Sequence, residues 1–571
     1  MSRVTVTING QSYEIESGTT VLDAAWRTGV SIPTLCHHHL LPRIGFCRLC
    51  LVEIEGQDLL QPACSFPLTQ PVSVWTHSPR VLESRRMTLE LLVARSQHSL
   101  GAYRARETFD RLLYEFGISP SRFASLVPPS PLDLSSPAMA YNPNACIQCG
   151  LCVSTCGDLQ QVYAINFEGY GVQQSVQPAL RQPLAEVECT SCGQCTTVCP
   201  TGAFVEQDHL PDVLAALADQ AKFVIAVVFP SVGTAIGMEY GQDAGTDLTG
   251  QLVNGLKHVG IDLVFNAGFG HDIVAIETAF ELRARLQTGE RLPLIISSCP
   301  ALVKHVEHLY PGLIPYLSVN RSPAQMFGTI LKTYYAEKLG RLASDIVVIQ
   351  VTPCVASKFE RTRPELGGVD IAITTREAAR LLEVASGCDL PALSPLPFDA
   401  PFGDASGAGI LSEMSGGTTE AILRTFRELR LGREQGTVEF DILRGFEPIR
   451  QTEITVGTER LRVAVAYDLG HGSEVLRRVQ DGHEQYHLIE IMACPGGCVG
   501  GGGHPISPIA SAPWTAARVA DPLYQVDRDS AGRKPRENVA LNHLYAEFLK
   551  TPFGEKPEQL LQTTYMERGR Y

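Results

Sequence analysis

The sequence predicts an α/β fold over most of its second half, preceded by a small β-rich module and a cysteine-organised α+β module. Three observations lead there. Apolar runs at 223–229, 262–266, 292–296, 345–351, 369–373, 461–467 and 486–491 are short, β-branched and followed by helical patterns, as buried strands of α/β sheets are. At the N-terminus Val4, Val6 and Ile8 alternate with threonines ahead of an Asn9-Gly10 turn. Of 17 cysteines, all but Cys388 fall into four separated clusters. A hydrophobic content of 44% with 19% charged residues describes a globular, well-cored chain.

Residues 1–80 form the first module. Tyr13 and Ile15 lie in the return strand of the hairpin, and Thr20 starts a helix carrying Val21, Leu22, Ala25 and Trp26. Cys36, Cys47, Cys50 and Cys64 follow as C-x10-C-x2-C-x13-C, looser than the plant-type [2Fe–2S] spacing. The run His37-His38-His39 reads as a solvated loop rather than a metal tract. Residues 81–135 read as helix and then a Pro/Ser-rich linker from Ser119 to Pro137.

Residues 136–212 carry C-x2-C-x2-C-x3-C written twice, the pattern of a two-cluster bacterial ferredoxin. In such a pair, Cys146, Cys149 and Cys152 with Cys199 hold one [4Fe–4S] cubane, and Cys189, Cys192 and Cys195 with Cys156 hold the other. Zinc is the alternative, but its sites pair two distant C-x2-C knuckles rather than packing four cysteines into one short run.

Residues 213–515 contain the α/β region. Asn266-Ala267-Gly268-Phe269-Gly270 imitates half a dinucleotide fingerprint, with Ile273 in place of the third glycine, so NAD binding is not expected. Cys299, Cys354 and Cys494 each follow a predicted strand, and Cys498 lies one loop further on. Ligands of open α/β sheets bind beyond the carboxyl ends of strands, so these thiolates are expected to converge. Residues 516–571 form a C-terminal segment.

The net charge of −14, without a basic block, argues against nucleic acid. No secretory signal and no apolar run of membrane-spanning length is visible, and thiolates at metal spacings suit a reducing cytoplasm.

SSCPALVKHVEHLYPGLIPYL, VTPCVASKFE and EIMACPGGCVGGGGHP resemble the three signature segments of [FeFe]-hydrogenases. IPTLCHHHLLPRIGFCRLCLVEIEG resembles the β-grasp [2Fe–2S] domain that opens multi-cluster members and the large subunit of respiratory complex I, and LLQTTYMERG resembles the family's small-subunit segment. The resemblance implies two α/β sheet lobes around an H-cluster. Cys299, Cys354, Cys494 and Cys498 would hold its [4Fe–4S] part, with Cys498 bridging to a diiron subsite bearing CO, CN⁻ and an azadithiolate. Gly496, Gly497 and Gly500 to Gly503 would let backbone approach that cofactor. Pro230, Thr352, Ser357, Lys358 and Met492 would sit beside the subsite.

The departures are specific. Ser298 stands where the family carries a proton-relaying cysteine, and Thr278 where a glutamate continues the relay, whereas Glu281, Ser318 and Arg285 match. Thr352 replaces a methionine, Ser357 replaces a cyanide-binding lysine with Lys358 next to it, and His504 replaces a glutamine; Glu360 matches. In the linker, His98 matches the ligand of a further cluster, but Ala102, Ala105 and Arg111 stand where its cysteines would be. The resemblance implies a cytoplasmic, H2-activating oxidoreductase of slow or atypical turnover. Electrons would pass through the cubanes and the [2Fe–2S] unit to ferredoxin, another soluble carrier or a partner redox subunit, after maturation proteins load the diiron part. A hydrogen sensor, or a non-catalytic iron–sulfur protein, is the alternative.

Overall fold

The computed structural model describes residues 2–96, 107–118, 122–125, 129–432, 439–506 and 515–569. The first module is a five-stranded sheet. Arg3–Ile8 pairs antiparallel with Gln11–Glu16, Ile8 facing Gln11, and parallel with Val72–Trp75, which pairs with Leu51–Ile54 and so reaches Gln61–Pro62. Asn9 and Gly10 hold φ of 49° and 86°, as a type I′ turn requires. The helix Val21–Arg27 starts at Thr20, whose hydroxyl accepts from the Asp23 amide, and lays Val21, Leu22 and Ala25 on the strands' inward Val6, Ile8, Val52 and Val74.

This module does not stand apart. Leu35, Leu41 and Leu49 share a core with Leu89, Phe109, Ile147, Leu151 and Val198, so it is fused to the helix Pro79–Ser96 and to the next module. The histidine run is only partly solvated: His37 is buried against Trp26, with ring centroids 5.2 Å apart, and His39 alone is exposed. Its flanking cysteines need an enclosed loop, which carries the neighbouring histidine inward. His98, Ala102 and Ala105 lie outside the described residues, and Arg111 forms an exposed ion pair with Glu115.

The doubled cysteine run folds one loop twice. Gln148 and Ser191 hold φ of 57° and 60°, and their amides donate to the Sγ atoms of Cys146 and Cys189 at 3.3 and 3.4 Å. Gly150 and Gly193, at φ of 83° and 74°, then open the short helices Leu151–Ser154 and Gln194–Val198. The antiparallel pairs Met139–Tyr141 with Phe204–Glu206 and Ile165–Glu168 with Ser175–Pro178 flank them.

Two four-stranded sheets follow. The first runs Leu263–Asn266, Phe223–Val228, Ile346–Thr352, Ile371–Thr374, all parallel and buried on both faces. The second runs Leu294–Ile295, Leu488–Met492, Glu459–Tyr467, Ile449–Val456. Its last strand is antiparallel and absent from the apolar runs read in the sequence, because only alternate residues of IRQTEITV turn inward at this edge. Cys388 is a half-buried thiol against the first sheet's core.

After residue 514 the chain returns over the first sheet. Leu541, Leu544, Leu549 and Leu561 join its core, and the final stretch is pinned where Arg568 donates to Glu307 at 2.6 Å. Among the described residues, no helix is long and apolar enough to cross a membrane.

Candidate active site

Four cysteines reach one place from both sheets. Cys299 follows Leu294–Ile295 and caps the helix Pro300–Leu309. Cys354 follows Ile346–Thr352, its amide donating to Thr352 Oγ1 at 3.1 Å. Cys494 follows Leu488–Met492, and Cys498 is held by its amide on Glu413 O at 2.7 Å. All four line one cavity between the lobes, together with Ser298, Ser357 and Met492.

This donor set fits a polynuclear iron cofactor. Burial pushes the Cys354 thiol up to about 12 and raises Cys299, Cys494 and Cys498, each made worse by neighbouring cysteines or carboxylates. Among the described residues, no lysine or arginine lines the cavity, so ionised thiols would need a cation from elsewhere, and iron supplies it.

A second hollow is lined by Cys156, Cys189, Cys192 and Cys195. Cys192 lines the active-site cavity as well, so a single residue separates the two. Burial and the nearness of Cys199 push Cys146 up to about 12, placing Cys199 beside the first run. In the N-terminal module the Cys47 amide donates to Cys36 Sγ at 3.3 Å, and the Cys36 thiol drops to about 6 with Cys47 as hydrogen-bond partner.

Ser298 is at the cavity wall, and the other expected relay groups form a bonded cluster of their own. Glu281 is fully engaged: Oε1 accepts from Arg285 at 2.6 Å and from the Val319 amide, and Oε2 from Ser318 at 2.6 Å and Asn320 at 3.1 Å. Burial raises its carboxyl while Arg285 and Ser318 oppose the rise. The Asn320 amide also donates to Thr278 Oγ1 at 3.2 Å, so Asn320 is the link between Thr278 and Glu281, a residue the sequence reading passed over. Glu277, on the same helix Gly268–Thr288, binds Tyr545 and the Phe553 amide instead.

Several expected cofactor neighbours are elsewhere. Ser357 lines the cavity and accepts from Gln350, but Lys358 is turned away, fully buried, with Nζ 2.8 Å from Glu377. One residue along the helix Ala356–Glu360 rotates a side chain about 100°, which is why 357 and 358 part company. Thr352 and Pro230 are not at the wall: Thr352 caps its own loop, and it is Phe229, beside Pro230, that faces the cavity. His504 is also elsewhere, its Nδ1 on Thr375 Oγ1 at 3.0 Å. Of the glycines, Gly497 and Gly501 reach the wall. A Cβ at Gly502 would stand 2.8 Å from Cys192 O, so that glycine docks the loop onto the cubane module rather than onto a cofactor.

The cavity also holds polar groups without a signal in the cysteine pattern. His271, kept neutral by burial at about 3, has both ring nitrogens unpartnered among the described residues. Glu490 accepts from the Gly416 and Thr419 amides, and Glu360 accepts from Ser322 at 2.8 Å. A carboxylate inside the apolar strand HLIEIMAC was the one available sign of Glu490.

Residues 222–502 match the family described as iron only hydrogenase large subunit, C-terminal domain, and residues 516–568 the iron hydrogenase small subunit. Residues 1–79 match a 2Fe-2S iron-sulfur cluster binding domain, and residues 145–203 a 4Fe-4S dicluster domain. The chain is 38% identical to the NADP-reducing hydrogenase subunit HndD of Solidesulfovibrio fructosivorans over 100% of both chains. It is 31% identical to iron hydrogenase 1 of Clostridium pasteurianum, over 98% of this chain and 99% of that one. An apo variant of the [FeFe]-hydrogenase HydA1 of Chlamydomonas reinhardtii superposes with a TM-score of 0.57 at 34% identity, covering 64% of this chain and 100% of its own.

Proposed function

We infer, from the premise that this chain belongs to the [FeFe]-hydrogenase family, how its own residues serve H2 activation. It is an H2 oxidoreductase with iron–sulfur electron transfer, carrying one [2Fe–2S] cluster, two [4Fe–4S] clusters and an H-cluster. Cys299, Cys354, Cys494 and Cys498 hold the H-cluster, Cys498 on the side of the diiron subsite. When bound, that subsite supplies heterolytic cleavage of H2 or its reverse. Met492, Phe229 and the Ser357–Gln350 pair shape the wall around it and exclude bulk water.

The remaining ligand sets are Cys36, Cys47, Cys50 and Cys64; Cys146, Cys149, Cys152 and Cys199; and Cys156, Cys189, Cys192 and Cys195. Cys192 stands in the wall between the last set and the active-site cavity, where a short electron path is needed. Ser298 carries the proton step nearest the cofactor and Glu281, Ser318 and Arg285 the next. A serine hydroxyl neither ionises near neutral pH nor readily accepts a proton, so this path is slow. Because HndD is named as a subunit of an NADP-reducing hydrogenase, the electron partner is a partner redox subunit or a soluble carrier such as ferredoxin. The compartment is cytoplasmic, where maturation proteins load the subsite.

One observation carries this reading: four cysteines from two sheets surround a cavity whose described wall holds no cationic side chain. Protein matured with the diiron cofactor should show CO and CN⁻ infrared bands and reduce viologen under H2. Cubane signals without those bands would instead leave an iron–sulfur electron-transfer protein.

A further inference from the structure

The active-site cavity shares three wall residues, Pro300, Ser322 and Glu360, with a neighbour. Glu360 and Ser322 line both it and a smaller cavity with room for about one water, walled by Arg321, Arg363, Thr563 and Tyr565 among others. Glu360 ends the helix Ala356–Glu360 and is buried; among the described residues its hydrogen bond is the one from Ser322 Oγ to Oε2, 2.8 Å. That leaves Oε1 open to a water or a proton, whereas both oxygens of Glu281 already accept bonds from protein groups, four in all.

The smaller cavity is suited to water. Thr563 Oγ1 is buried without a partner among the described residues, and hydroxyl, guanidinium and carboxyl groups surround the space, as an ordered water requires. Leu366 and Thr563, both partly exposed, close its outer side. Arg363 is held by Glu307 and Glu365 and stays charged, so it orients water without exchanging protons.

Resting on the H2-activating reading above, we propose that Glu360 and Ser322 form a second proton exit from the active-site cavity, through water in the adjoining cavity to solvent. Each H2 oxidised yields two protons and two electrons. The electrons leave through the cysteine-bound clusters, and each proton bonds to Glu360 Oε1, from which an O–H bond breaks as water in the outer cavity takes it on. Hydrogen evolution runs the same exchange inward. Burial lifts the Glu360 carboxyl to about 7, where it both takes and releases protons readily.

The test uses the matured holoenzyme with a viologen dye. Glu360→Gln should lower H2 turnover by about 10²-fold or more, within the range of positioned acid–base groups, while CO and CN⁻ bands and cluster signals persist. Ser322→Ala should lower it less. Glu277→Gln, which removes a similarly buried carboxyl outside the route, should leave it unchanged. Independently of turnover, the infrared difference between oxidised and reduced protein should contain a carboxyl band that Glu360→Gln abolishes and Glu277→Gln retains. A loaded Glu360→Gln protein that keeps its turnover and its carboxyl band overturns the exit alone. A starting protein without CO and CN⁻ bands overturns the H2 reading and the exit with it.

Discussion

Replacing Ser298 by cysteine and Thr278 by glutamate should rebuild the first proton path, and the geometry sets how far each change reaches. Ser298→Cys puts a group of ordinary pKa about 8.5 at the cavity wall, in place of one that does not ionise in water's working range. Positioned acid–base groups contribute about 10²–10⁴-fold, and a path still blocked at 278 should recover less than that, about tenfold. Thr278 and Glu281 accept from the same Asn320 amide, at 3.2 and 3.1 Å, so a carboxyl at 278 would lie about 5 Å from Glu281. At an effective dielectric of 20 two carboxylates at that distance repel by about 3 kcal/mol, roughly two pKa units. The pair therefore holds one proton near neutral pH, the shared state a relay needs. Ser298→Cys with Thr278→Glu should exceed the product of the two single effects and reach about 10²-fold. The larger side chain in a packed site should cost about 1–3 kcal/mol of stability, read separately by thermal unfolding. The assay is H2 uptake with viologen on protein whose CO and CN⁻ bands confirm loading. If all three variants turn over like the starting protein, proton transfer through this path does not limit the rate.

Lys358→Met should destabilise the protein by about 3–5 kcal/mol by stranding Glu377, and adding Glu377→Gln should recover much of it; loss of the CO and CN⁻ bands with stability intact would instead make Lys358 a cofactor ligand. The matured protein should contain about sixteen iron atoms from one [2Fe–2S], two cubanes and a six-iron H-cluster, and quantification of four more would place a further cluster near His98. Burial lifts Glu277 from 4.5 to about 7, so the folded state holds more protons between those values. Its contribution to stability is thus full below 4.5 and falls as pH rises to 7, by about 3 kcal/mol; Glu277→Gln should flatten that part of the melting-temperature profile, and an unchanged slope would assign it to other groups.

Spacing made the metal-bearing loops legible, since a cubane fixes where its thiolates must stand and the chain has few ways to supply them. Buried parallel strands were legible for a similar reason: both faces are covered, so each reads as a continuous apolar run. The edge strand Ile449–Val456 hides because half of its residues face outward. Side-chain direction was not legible. Lys358 beside Ser357 looked interchangeable with it, yet helical rotation sends its ammonium to Glu377. His504 sits in a cysteine-bearing signature and still points to Thr375. Asn320 meets Glu281, and Ser322 meets Glu360, across segments distant in sequence, and no local pattern announces either contact.

The C-terminal stretch has one more consequence. Residues 516–568 match a family described as a small subunit, yet here they are covalently continuous with the catalytic lobes. Joining two binding partners in one chain replaces a bimolecular equilibrium by an effective concentration on the order of millimolar. The burial of Leu541, Leu544 and Leu561 and the clasp of Arg568 on Glu307 need not offset the translational freedom that a separate chain would lose. Thr563 and Tyr565 therefore wall their cavity at any dilution of the protein, whereas a detached version of the same segment would leave it as the concentration fell.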